Sequence, residues 1–231
     1  MEISQIASLA GKIKANVEKV IVSSGDHLDL LLTALIAGGH VLLDDVPGTG
    51  KTVTAKALAK SLGVDMKRIQ FTPDLLPGDV TGMSVFNQKE NSFEFREGPA
   101  FTNVLLADEI NRATPRTQSA LLECMEEKQI TADGVTKALD KPFFVIATQN
   151  PVETGGTFPL PEAQLDRFLM RLRPGYPGSE GEKRILDRFI NNDPLAELES
   201  VASREELIAA QESISRVQVS DPVRHYIVAL T

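Results

Sequence analysis

The sequence predicts an α/β protein built around a parallel sheet, and three stretches carry that prediction. In the first, the apolar run Val41-Leu42-Leu43 meets a tight Gly-rich turn, and Lys51-Thr52 then open a helical pattern that reaches Leu62. In the second, Val104-Leu105-Leu106-Ala107 ends in Asp108-Glu109. In the third, Phe143 to Thr148 ends in Gln149-Asn150-Pro151. Short apolar runs bounded by polar residues read as strands buried on both faces, which is the habit of parallel sheets. Strands that close on acids and amides place those groups at the carboxyl edge, where open α/β sheets bind ligands.

The 231 residues suffice for one sizeable core and a small appendage. A hydrophobic content of 42% and a charged content of 24% describe an ordinary globular protein. The net charge of −8 argues against sequence-independent nucleic-acid binding. Cys124 is the only cysteine, so no intrachain disulfide forms, which suits a reducing compartment. The start, Met1-Glu2-Ile3-Ser4-Gln5, lacks the basic and apolar regions of a signal peptide, and no apolar run approaches membrane-spanning length. These features together predict a cytoplasmic protein with no membrane insertion.

Ile6, Leu9, Ile13, Val17 and Ile21 recur at helical spacing. Ser23-Ser24-Gly25 break that helix, and Asp26 is placed to cap the next, which runs over Leu28 to Ile36 and stops at Gly38-Gly39. This helix pair could back an adenine pocket, and core packing explains it equally well. Gly63 ends the helix after the turn, and Met66 to Phe71 alternates as a short strand. Met83 to Phe95 reads as a hairpin with a polar tip, either a solvated decoration or a working arm. Thr114-Pro115 starts a helix whose buried stripe is Leu121, Cys124 and Met125, so Cys124 is a core residue. Gln129 to Leu139 is a second hairpin turning at Asp133-Gly134. Glu162 to Phe168 begins a helix or turn; in isolation Asp166-Arg167 is a charged pair on a solvated face. Arg171 and Arg173 alternate with Met170 and Leu172 as the solvated side of an edge strand. Tyr176-Pro177-Gly178-Ser179 marks a boundary between residues 1–175 and 176–231. Helical patterns follow near 180–191, 204–216 and 220 to the end, with Ser203 and Glu206 as a capping box. The last pattern has no C-terminal cap, so the chain is expected to be part of a longer one.

The Gly-rich turn supplies backbone N–H groups and a helix N-terminus suited to phosphate. Gly48 and Gly50 permit close backbone approach, Lys51 reaches the β/γ oxygens, and the Thr52 hydroxyl is a Mg²⁺ ligand. Asp45 stands where the strict pattern has Gly. Asp108 is the candidate partner to Mg²⁺, and Glu109 the candidate base that polarises water. Asn150 is placed to touch the γ-phosphate or orient that water.

Taken together the strings Gly38 to Leu43, Val46 to Thr52, Gln70 to Pro77, Ala107 to Ala113, Ala147 to Pro151 and Glu162 to Phe168 resemble the MoxR family of AAA+ ATPases. The resemblance covers nearly the whole chain. It implies a P-loop core with a five-stranded parallel sheet and a partial helical lid, binding ATP/ADP and Mg²⁺. The nucleotide-binding residues it implies are Val22, Pro47, Gly48, Thr49, Gly50, Lys51, Thr52 and Val53, with Thr52 and Asp108 for the metal. The catalytic residues are Lys51, Glu109, Asn150 as sensor 1, and Arg167 as an arginine finger acting on a neighbouring subunit. Val20-Ile21-Val22 resembles the adenine-contacting segment, although Ser23-Ser24 stand where the family has Gly-Gln. The hairpins resemble the helix-2 insert and the pre-sensor-1 hairpin, which line the central face of a ring. The resemblance further implies a hexameric ring and a client protein that is remodelled, with a von Willebrand A-type partner. The family's sensor-2 arginine has no match here, which implies slow hydrolysis. Two other readings are a nucleotide-gated binding module, which would not need Glu109, and a DNA-directed motor, which the acidity disfavours.

Overall fold

The computed structural model describes residues 1–22, 26–44, 48–150, 156–190 and 193–230. Asp45, Val46 and Pro47, Ser23 and Ser24, and Pro151 lie outside those residues. In chain order the elements are α1 (Ile3–Val17), α2 (His27–Ile36), β1 (Val41–Asp44), α3 (Lys51–Leu62), β2 (Met66–Gln70) and α4 (Pro77–Thr81). The hairpin β3 (Gly82–Asn87) and β4 (Ser92–Glu97) follows, then β5 (Val104–Asp108) and α5 (Pro115–Glu127). Next come the hairpin β6 (Gln129–Ala132) and β7 (Val135–Ala138), then β8 (Phe144–Gln149), α6 (Glu162–Leu165) and β9 (Met170–Leu172). The chain closes with α7 (Ser179–Phe189), α8 (Arg204–Ser213) and α9 (Asp221–Leu230).

The main sheet has five strands in the order β2-β5-β8-β1-β9, every pair parallel. The two central strands read as predicted: every residue of β5 is buried, and so is β8 up to Gln149. Because side chains alternate, the sheet separates two cores. Val41, Val104, Leu106, Phe144 and Ile146 join α1, α2 and α3 on one face. Leu42, Leu105, Ala107, Val145 and Ala147 join α5 on the other. Leu198, Ala202, Leu207 and Ala210, from α8 and the segment before it, belong to the first core.

Several local expectations are refined. The first helix stops at Val17 rather than running to Ile21, and the chain turns there so that Val20 is buried. Asp26 holds the cap position of α2, but its side chain makes no cap bond. Thr114 likewise precedes Pro115 at the start of α5, and its hydroxyl pairs with Thr117 Oγ1 at 3.3 Å instead of a backbone amide. Ser203 and Glu206 do form the reciprocal box. Cys124 is buried, and burial pushes its thiol up to about 12, in keeping with a core role.

His40 fastens the amino edge of the sheet. Its Nδ1 accepts the Val145 N–H at 3.0 Å, which leaves the proton on Nε2, 3.2 Å from the Met125 carbonyl. A second ring proton would face the Val145 donor. Burial lowers the pKa from 6.5 to about 4. The unfolded chain therefore takes up a proton that the folded chain refuses, and stability falls as pH drops from 6.5 towards about 4. Between pH 7.5 and 4.5 this group alone should remove about 2.5 kcal/mol. Urea unfolding of wild type and His40→Gln at both pH values checks this: the variant should lose less stability on acidification by about that amount, and equal losses would refute the assignment.

Candidate functional site

The site is built where the strands end. Gly48 and Gly50 have φ of 90° and 81°, a region that a side chain disfavours, and neither would crowd a neighbour with a Cβ. Gly50 is the N-cap of α3 and offers no side-chain cap, and a helix N-terminus of this kind suits an anion. A cavity of about 440 Å³ opens beside this turn, and Gly48, Thr49, Gly50, Lys51 and Val53 line one end. Thr52 is not among its lining residues. The other end is apolar. Val20, Ile21 and Val22 form one side, with His27, Leu28 and Leu31 of α2 behind them. Of the two N-terminal helices only α2 lines the cavity, and its Leu28 and Leu31 also belong to the core, as do the apolar residues of α1. Tyr176, Pro177, Ile185 and Phe189 close the cavity from the C-terminal segment, a contribution that sequence reasoning missed.

Asp108, Glu109 and Asn150 lie outside the cavity lining but on the same sheet edge. β8 stands between β5 and β1, so the acid-bearing strand and the strand feeding the Gly-rich turn are two strand spacings, roughly 10 Å, apart. Thr148, at the end of β8, links them. Its Oγ1 donates to Asp108 Oδ1 at 2.7 Å and accepts the Glu109 N–H at 2.9 Å. Arg68 of β2 donates through Nε and Nη2 to Asp108 Oδ2 at 3.1 and 2.7 Å. Glu109 has a left-handed backbone, φ 56°. Its Oε2 accepts from Gln70 Nε2 at 2.7 Å and Arg112 Nη1 at 2.9 Å. Asn150 is buried directly after β8, and its carbonyl accepts from Asn111 Nδ2 at 3.3 Å.

The neighbouring strand end carries a second cluster. Asp44 closes β1, and its side chain is only 2% exposed. Gln149 Nε2 donates to its Oδ1 at 2.6 Å, while Arg171 and Arg173 Nε donate to its Oδ2 at 2.7 and 3.2 Å. The expected solvated edge is borne out, since β9 ends the sheet and the Arg171 and Arg173 side chains are exposed, and both also reach Asp44 of the adjacent strand. Arg167 sits apart, paired with Glu126 of α5 and 3.4 Å from the Leu122 carbonyl.

The hairpins touch each other. Lys137 Nζ lies 4.4 Å from the Phe95 ring centroid and 3.4 Å from Glu97 Oε1. The Asp133-Gly134 turn has positive φ at both residues, as a two-residue hairpin demands. At the other hairpin, Phe86 and Phe93 meet edge to face at 5.3 Å on an exposed surface.

A family model for ATPases associated with various cellular activities (AAA) matches residues 40–170. The chain is 54% identical over 222 residues to an uncharacterised protein, YeaC, of Bacillus subtilis, covering 96% of this chain and 69% of that one. It is 42% identical over 212 residues to Chaperone MoxR1 of Mycobacterium tuberculosis, covering 92% of this chain and 56% of that one. Protein MoxR of Methylorubrum extorquens is 31% identical over 196 residues, covering 81% of this chain and 57% of its own length. A crystal structure of a provisionally assigned ATPase from Cytophaga hutchinsonii superposes with a TM-score of 0.88 at 42% identity, covering 98% of this chain and 70% of that one. The chain thus spans 69% of the first relative and little more than half of the two MoxR proteins. No described helix is long and apolar enough to cross a membrane. The parallel sheet, the Gly-rich turn, the paired strand-end acids and these relatives together make this chain a member of the MoxR family of AAA+ ATPases.

Proposed function

We propose that the protein binds ATP at the Gly-rich turn and hydrolyses it to remodel a partner protein, as a chaperone-like member of its family. The observation that supports this most is the Thr148 hydroxyl, which holds Asp108 and Glu109 on the edge that also ends in the Gly-rich turn. The base enters the apolar end of the cavity beside Val22, and the phosphates meet the Gly48 to Thr52 amides and the Lys51 ammonium. Thr52 and Asp108 offer hard oxygen donors that suit Mg²⁺, which when bound neutralises phosphate charge. Glu109 takes the proton of the attacking water, and Asn150 orients that water. Arg167 stabilises the transition state on the nucleotide of a neighbouring subunit in a hexameric ring. On this reading residues 1–175 form the nucleotide-binding core and 176–231 a partial lid. The two hairpins face the ring centre, and a von Willebrand A-type protein presents the client.

Replacing Glu109 by Gln should leave ATP affinity intact and lower turnover on the order of 10²-fold or more. Calorimetry with a phosphate-release assay checks both, and surviving turnover would leave a nucleotide-gated binding module as the better account. Arg167→Ala should cost on the order of 10³ in rate without weakening ATP binding, and the wild-type rate per subunit should rise with protein concentration. A rate that stays flat would remove Arg167 from the reaction.

Thr148 allows a separate test. Thr148→Val keeps the shape and deletes both hydrogen bonds, so it should cost about 1–3 kcal/mol of stability in a denaturant titration and depress turnover. Thr148→Ser keeps the hydroxyl and should restore most of both. If Val behaves as Ser does, the hydroxyl holds nothing.

A further inference from the structure

Helix α7 closes the apolar end of the cavity with Ile185 and Phe189, yet little burial holds it there. Gly181 is its only buried residue, while Leu186 and Ile190 are each 68% exposed. A helix so lightly packed needs further attachment to keep one position. Two contacts supply it. At the far end, Arg188 Nη1 donates to the carbonyls of Glu18 at 2.7 Å and Ile21 at 3.0 Å. At the near end, Gly181 packs tightly on Pro177, where a Cβ would sit 2.7 Å from Pro177 Cβ, and it lies within ordinary van der Waals reach of Val22, a Cβ there being 3.5 Å from Val22 Cγ1. Both contacts reach the stretch from Glu18 to Val22, which forms the opposite wall of the same cavity.

We propose that Arg188 is a positioning residue for nucleotide binding: by tying α7 to the 18–22 backbone it fixes the width of the slot that receives the base. The inference rests on the nucleotide reading above and deepens it. A guanidinium suits the task, because one planar head can serve two carbonyls at the end of α1 while its charge favours the negative pole of that helix. The clamp acts on the base end alone. Losing it should weaken every adenine nucleotide alike, whether or not a γ-phosphate is present.

The test is titration calorimetry of the full chain with ADP and with ATP, joined to hydrogen exchange with and without ADP. Arg188→Ala should weaken both nucleotides equally, on the order of tenfold, as the loss of charge-assisted hydrogen bonds at a partly exposed site implies. Saturating turnover should stay near wild type, so that KM moves and kcat does not. ADP should protect the amides of residues 179–189 in wild type and fail to do so in the variant. Arg188→Lys should recover part of the affinity. Gly181→Val, which clashes with Pro177 and so displaces α7 at the other end, should weaken both nucleotides as well. Arg184→Ala, on the same helix with its Nε only 3.4 Å from the Glu180 carbonyl, should bind as wild type does. Unchanged ADP affinity in Arg188→Ala, or a loss confined to ATP, would overturn the proposal. A wild-type chain that takes up neither nucleotide would overturn the reading beneath it.

Discussion

One hydroxyl organises the working edge of this protein. Thr148 has a single proton and spends it on Asp108 Oδ1, and it takes the Glu109 amide proton on its own oxygen. The second bond matters because Glu109 is in the left-handed region at φ 56°, where a residue with a Cβ is strained by roughly 1–3 kcal/mol. Without a fixed acceptor the peptide would relax, and the glutamate would leave the sheet in another direction. The strain is tolerable because the strands beneath are fully buried and cannot follow. An apolar sheet thereby becomes a rigid mount for two acids that point to different partners.

Anchoring differs sharply between the two parts of the C-terminal region. The segment leading into α8 places Leu198 and Ala202 against the first core, and α8 adds Leu207 and Ala210. Asn16 Nδ2 reinforces that contact by donating to the Glu199 carbonyl at 2.8 Å. Helix α7 has no comparable apolar footing and depends on Arg188 and the close approach of Gly181. Free energy of opening follows buried apolar area, so α7 can move at lower cost than α8. It is also the one that faces the cavity.

Sequence reasoning succeeded where one residue decides the outcome and stalled where a neighbour decides it. Gly48, Gly50, Lys51 and the strand-end pair Asp108-Glu109 are legible because backbone geometry and chain order alone place them. Ser203 and Glu206 form their box because both partners lie within one turn. Asp26 and Thr114 occupy the right cap positions, but which atom takes the side-chain hydrogen bond depends on local competition, as the Thr114–Thr117 hydroxyl pair shows. Arg171 and Arg173 lie on a solvated edge as expected, but their bonds to Asp44 escaped, because alternation reports only that two residues share a face. It says nothing of Asp44 on the next strand, since strand order cannot be read from β1 and β9 separately. Arg68 and Gln70 escaped for the same reason. A signal was present, since each polar residue at the end of a parallel strand must meet others of its kind.

Charge on that edge is balanced largely within the chain. Among the described residues, the strand-end carboxylates already have partners from the chain: Asp44 has Gln149, Arg171 and Arg173; Asp108 has Thr148 and Arg68; Glu109 has Gln70 and Arg112. Among the described residues no cluster of His, Cys, Asp and Glu is arranged to hold a metal by itself. A bare divalent cation would therefore compete with arginines for oxygens that are already bonded, and would add positive charge to a rim rich in it. A triphosphate meets the reverse situation. The uncapped start of α3 and the Lys51 side chain favour an anion, and a cation that enters with the phosphates brings most of its own ligands. The arginines compensate these acids, which lets Asp44, Asp108 and Glu109 sit at one partly buried sheet edge.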